Sequence, residues 1–155
     1  MVEMAELITP ERILLDLRPR SKRQLLQELA ELAARDLGIE SSRILSALLE
    51  REKLGTTAIG EGIAIPHAKI EGLDRIIGGF ARLAEPLDFE ALDEQPVDLV
   101  FFLLAPAAAS TEHLKALARL ARLLRNPELR ARLRSESDIG RVYKLLVGGA
   151  QSHAA

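Results

Sequence analysis

Val97-Asp98-Leu99-Val100-Phe101-Phe102-Leu103-Leu104-Ala105-Pro106 is the stretch on which the fold turns. From Leu99 to Ala105 it is apolar at every position, with no alternation between a wet and a dry face. A strand of this kind needs cover on both faces, so it belongs at the centre of a sheet with helices above and below. Pro106 cannot donate to a ladder and ends it. Residues 97–105 are about half of the roughly 18 to 20 apolar residues that span a bilayer, so they read as a buried strand. Upstream, residues 56–104 have no helical spacing; short apolar runs alternate with turn residues, as in Gly60-Glu61-Gly62, Ile63-Ala64-Ile65 and Pro66-His67. Residues 75–83 form a second expected strand, with Gly78-Gly79 as a bulge or a point of close approach.

Helical patterns lie on either side of this region. Residues 7–17 read as an extended segment broken by Pro10. Ser21 is an N-cap, with Gln24 completing a capping box. Leu26, Leu29, Ala30, Ala33 and Leu37 then recur at helical spacing until Gly38 stops them. Ser41 or Ser42 opens a second helix carrying Ile44, Leu48 and Arg51, closed by Gly55, so that Arg51 falls in the last turn. On the far side, Ser110 or Thr111 caps a helix with a stripe of Leu114, Leu117, Ala121 and Leu124, stopped at Asn126-Pro127. Shorter helical segments follow at 128–133 and 138–146. The pattern predicts one α/β layered domain over residues 1–148, with 149–155 as a tail small and polar enough to fray.

Composition narrows the function. The chain has 155 residues, 48% of them hydrophobic and only 3% aromatic, so the core is aliphatic. A net charge of -2 leaves no electrostatic footprint for nucleic acid or anionic lipid. Cysteine is absent, which excludes disulfides, thiol nucleophiles and sulfur-ligated zinc. The acidic start Met1-Val2-Glu3-Met4-Ala5-Glu6 lacks the basic, apolar character of a signal peptide, so a cytoplasmic protein without membrane insertion is expected.

There are three histidines, at 67, 113 and 153. His153 lies in the expected tail. His67 follows Pro66 and comes soon after Gly60 and Gly62, and glycine-rich backbone leaves amide donors open to an anion. His113 lies in the first turn of its helix, where free N–H groups and the helix dipole favour negative charge. Arg51 offers a guanidinium suited to phosphate. A transferable phosphohistidine needs one free ring nitrogen, the other nitrogen oriented, and cations for the phosphoryl charge. Spacing alone does not bring the three residues together. His67 also reads as a strand-end histidine bonded to a carbonyl, His113 as an exposed helix residue, and Arg51 as a solvated charge in Glu50-Arg51-Glu52-Lys53. No third ligand accompanies the histidines, so no metal and no cofactor is expected. Ser110-Thr111 has no nucleophile elbow around it.

The run from Leu48 to Lys69, with Arg51-Glu52, Gly55-Thr56-Thr57, Gly60-Glu61-Gly62 and Ile63-Ala64-Ile65-Pro66-His67, resembles the fructose/mannitol-type enzyme IIA domain of the bacterial phosphotransferase system. Asp93-Glu94-Gln95-Pro96-Val97-Asp98-Leu99-Val100-Phe101 and Glu112-His113-Leu114 resemble the same family in the same order, and the likeness runs from about Leu7 to about Leu146. It implies a mixed β-sheet flanked by helices on both faces. It makes His67 the phosphorylated residue through Nε2, His113 an assisting histidine and Arg51 the group that steadies the phosphorylated site. Thr57, Gly60 and Gly62 match the loop that shapes the phosphate pocket. The implied role is a phosphotransferase component that acts as a stoichiometric carrier. Its implied donor is an HPr-type phosphocarrier. In sugar uptake the implied acceptor is a IIB cysteine; in the nitrogen-regulatory branch the protein signals by its phosphorylation state, as a binding module whose regulatory target responds to phosphorylation of His67. The wording Gly62-Ile63-Ala64-Ile65-Pro66-His67 is most similar to that regulatory branch.

Overall fold

The computed structural model describes residues 3–108 and 110–154. A short helix α1 (Met4–Leu7) and a 3-10 turn (Pro10–Arg12) lead into strand β1 (Ile13–Leu17). Pro10 therefore opens a turn within the expected extended segment, since its fixed φ suits a first helical position and its missing N–H is not needed there. Helices α2 (Lys22–Leu37) and α3 (Ser41–Lys53) follow. The Ser21 hydroxyl accepts from the Gln24 amide at 3.1 Å, and the Gln24 side chain accepts from Arg20 N–H at 2.7 Å. Gly38 ends α2 in the left-handed conformation at φ 68°. Helix α3 opens at Ser41, one of the two serines expected to start it, with Glu40 at the N-cap and no side-chain capping bond.

Strands β2 (Ala58–Gly60), β3 (Ile63–Ala64), β4 (His67–Ile70), β5 (Ile77–Leu87) and β6 (Val97–Pro106) complete a six-stranded mixed sheet in the order β1-β5-β6-β3-β2, with β4 also paired to β6. β5 is antiparallel to β6, while β1–β5, β3–β6 and β4–β6 are parallel. The expected central strand is indeed the hub. Its odd residues Leu99, Phe101, Leu103 and Ala105 enter one buried cluster, and Val100, Phe102 and Leu104 enter the other. Helices α4 (Ser110–Leu123), α5 (Pro127–Ser135) and α6 (Ile139–Ala154) cover the first face, and α2 and α3 the second. The Gly78-Gly79 pair is a point of close approach: a Cβ on Gly79 would lie 2.8 Å from the Arg12 carbonyl oxygen and collide with the Phe102 ring.

The stripe expected on α4 holds only in part. Leu114 is 67% exposed, and the buried positions within the helix are His113, Ala116, Leu120 and Leu123; of the other expected residues, Leu117 and Ala121 are partly buried against the core and Leu124, just past the helix, is buried. The helix opens at Ser110, so Ser110 and Thr111 lie inside it and its N-cap falls outside the described residues. Helix α6 runs to Ala154 and takes in most of the stretch set apart as a tail. The side chain of His153 is not among those described.

Candidate active site

Three elements end at one place. Strand β4 begins at His67, laid against Leu103 of β6 in a parallel ladder. Helix α3 ends beside it and delivers Arg51 from its last turn. Helix α4 delivers His113 from its first turn. The residues that spacing could not bring together do meet.

His67 has both ring nitrogens engaged. Nδ1 lies 2.7 Å from the Ile65 carbonyl oxygen. A carbonyl can only accept, so Nδ1 carries the proton and Nε2 keeps the lone pair. Arg51 Nε–H donates to that Nε2 at 3.2 Å, and Arg51 Nη1 donates to the Gly55 carbonyl at 2.9 Å. Burial holds the His67 pKa below the usual histidine value; the Ile65 carbonyl and Glu52 push it up, and Arg51 pushes it down. The ring is therefore neutral at pH 7, with a nucleophilic lone pair facing a guanidinium.

His113 stands edge-on to His67, with ring centroids 5.3 Å apart and planes at 86°. It is 4% exposed, and its Nε2 is buried with no hydrogen-bond partner. Burial first, then His67 and Lys69, push its pKa down to about 4. An unpaired buried ring nitrogen costs on the order of 1–3 kcal/mol and is uncommon away from functional sites. The site opens into a depression of about 550 Å³ lined by Arg51, His67, Lys69 and His113, with Leu54 and Leu114 on its rim. Leu54 is 85% exposed.

The other three expected residues, Thr57, Gly60 and Gly62, do not line this depression, although the Thr57 carbonyl accepts from the Ile65 amide at 3.0 Å. The Thr57 amide and hydroxyl both bond the Glu52 carboxylate, at 3.1 and 2.6 Å. Gly60 and Gly62 flank the turn between β2 and β3 at φ 96° and 78°, a conformation glycine adopts at low cost. A Cβ on Gly60 would lie 3.3 Å from an Asp93 carboxylate oxygen, and one on Gly62 would lie 3.0 Å from Asp98 Oδ1 and 2.6 Å from Arg134 Nη2. The Glu61 amide between them already donates to Asp93. These glycines serve a turn crowded by the carboxylates of Asp93 and Asp98. Conversely, Lys69 was missed; its spacing of two from His67 on a strand was the available signal. Among the described residues no group of three or more His, Cys, Asp and Glu is arranged to hold a metal ion.

Residues 6–148 match the family model described as phosphoenolpyruvate-dependent sugar phosphotransferase system, EIIA 2. The chain is 52% identical over 143 residues to a nitrogen regulatory protein of Bradyrhizobium diazoefficiens, covering 92% of this chain and 94% of that protein. It is 43% identical over 129 residues to the fructose-specific EIIA component of Haloferax volcanii, covering 81% of this chain and 83% of that one. The crystal structure of the nitrogen regulatory protein IIA-Ntr from Neisseria meningitidis matches with a TM-score of 0.88 at 36% identity, over 92% of this chain and 98% of that one. Fold, site and relatives together define a phosphoryl-transfer component. The chain belongs to the EIIA type 2 family of the phosphoenolpyruvate-dependent sugar phosphotransferase system.

Proposed function

We propose that His67 Nε2 accepts a phosphoryl group from an HPr-type phosphocarrier and that the loaded protein acts in the cytoplasm as a nitrogen or metabolic regulator. One observation carries this reading: Nδ1 is held protonated by the Ile65 carbonyl while Arg51 faces the Nε2 lone pair. In the step, that lone pair forms an N–P bond as the donor's N–P bond breaks and its electron pair returns to the donor imidazole. Nδ1 keeps its proton, and the Ile65 carbonyl faces the positive character the ring gains. Arg51 Nε–H loses the lone pair as a partner and turns to a phosphoryl oxygen, a charge-assisted bond in place of a weaker one. His113, neutral at pH 7, supplies a ring nitrogen that can donate once a dianion arrives. Leu54 and Leu114 on the rim give an incoming carrier an apolar footing.

The regulatory role draws on the likeness to nitrogen regulatory proteins over nearly the whole chain. The alternative is a sugar-transport component that passes the group to a IIB cysteine, supported by the likeness to a fructose-specific EIIA component. Incubation with phosphoenolpyruvate, enzyme I and HPr tests the shared chemistry. One acid-labile, alkali-stable phosphate is expected on the wild type and none on His67→Ala. An unmodified wild type beside a demonstrably charged HPr rules the reading out.

A further inference from the structure

In the run Glu50-Arg51-Glu52-Lys53, Glu50 and Lys53 are exposed and pair with each other at 3.4 Å. Glu52 is different: its side chain is 6% exposed. Three donors fix its carboxylate, the Thr57 amide at 3.1 Å, the Thr57 hydroxyl at 2.6 Å and Lys22 Nζ at 3.1 Å. Lys22 is itself held, 4.9 Å over the Phe89 ring. Arg51, the residue before Glu52 on the helix, bonds His67 and the Gly55 carbonyl and leaves that carboxylate to these other donors. A buried carboxylate is thus fixed one residue along the helix from the guanidinium that meets the reacting ring, and that guanidinium stays available.

We propose that Glu52 sets the phosphoryl-transfer potential of His67, its fixed negative charge destabilising the phosphorylated state so that the group is readily handed on. The inference rests on the reading that His67 carries phosphate. A site built only of cations would hold a dianion tightly and trap it. A carrier has to bind the group and release it, so a countervailing negative charge at a fixed position has a use. His67 already feels that charge, since Glu52 pushes its pKa upward. The same sign of interaction acts against an added net negative charge on the ring. Lys22 screens Glu52 in part, so the two residues form an adjustable pair.

Glu52→Gln isolates the charge, because the amide oxygen still accepts from Thr57. The experiment equilibrates wild type or variant with an HPr-type phosphocarrier and reads the phosphorylated fraction by intact mass, alongside an NMR pH titration of the His67 ring. The equilibrium constant toward phosphorylated Glu52→Gln protein is expected to rise about threefold to tenfold, for a charge acting across partly screened dielectric. The His67 pKa is expected to fall. Lys22→Met, which unscreens the carboxylate, is expected to move the equilibrium the other way. Loss of packing lowers phosphorylation, so a rise in Glu52→Gln separates charge from damage; in Lys22→Met the His67 pKa, expected to rise as the carboxylate is unscreened, makes that separation. A Glu52→Gln protein that is folded and phosphorylated no more than wild type overturns the inference alone. A wild type that takes no phosphate overturns the His67 reading and this one with it.

Discussion

Arg51 carries the sharpest residue-level consequence, because it touches the atom proposed to react. A hydrogen bond from a charged group is worth about 1.5–3 kcal/mol, so Arg51→Gln is expected to lower the equilibrium yield of phosphorylated protein about tenfold or more. Arg51 also pushes the His67 pKa down, so the same variant should titrate His67 at higher pH. Phosphate yield by intact mass and the ring titration by NMR check both; a yield unchanged from wild type would detach Arg51 from the chemistry. His67, His113 and Arg51 were legible in the sequence because each sits beside a punctuation mark: Pro66, a helix start, a helix end. Glu52 was not, since burial of a charged side chain depends on Lys22 and Thr57, which come together only in the fold. Gly60 and Gly62 stand outside the lining of the depression. Glycine spacing marks backbone freedom, and here that freedom serves a tight turn against Asp93 and Asp98.

At the scale of elements, period and punctuation read well wherever a single face or both faces were buried. β6, α2 and the last turn of α3 follow directly from their sequences. The α4 stripe followed only in part, because its apolar residues wrap more than one face and sequence cannot choose which leucine turns fully inward. Arg12 was likewise invisible: a 4% exposed guanidinium bonds the Gly78 carbonyl at 2.8 Å, Asp36 at 2.6 Å and the Leu7 carbonyl at 3.1 Å. It ties α1, α2 and β5 together, and its turn brings its own carbonyl against Gly79. Gly79→Ala therefore has no room on either side, and overpacking of this kind typically costs about 1–3 kcal/mol. A urea unfolding midpoint lower than wild type is expected, and an unchanged midpoint would mean that β5 and the Arg12 turn separate easily.

For the whole molecule, the two-sided sheet puts the site at one end of its central strands with helices on both faces, which is the α/β arrangement the sequence implied. Among the described residues no helix is long and apolar enough to cross a membrane. The buried histidine makes global stability depend on pH. His113 takes up its proton near pH 6.5 when unfolded and only at about pH 4 when folded. Between those values the unfolded chain binds more protons, so its contribution to stability is complete above about pH 6.5 and is lost as pH falls toward 4. His113→Phe removes that titration. Its unfolding midpoint should fall less steeply than that of wild type over this window, and parallel profiles would show that the ring is not held neutral by the fold.

The central claim is that the fold presents one particular nitrogen. A 1H–15N correlation spectrum of the imidazole rings, recorded before and after phosphorylation through enzyme I and HPr, reads that nitrogen directly. The expected spectrum shows phosphorus attached to Nε2 of His67 with Nδ1 still protonated and bonded to Ile65. Phosphorus on Nδ1, or on His113 in place of His67, would contradict it.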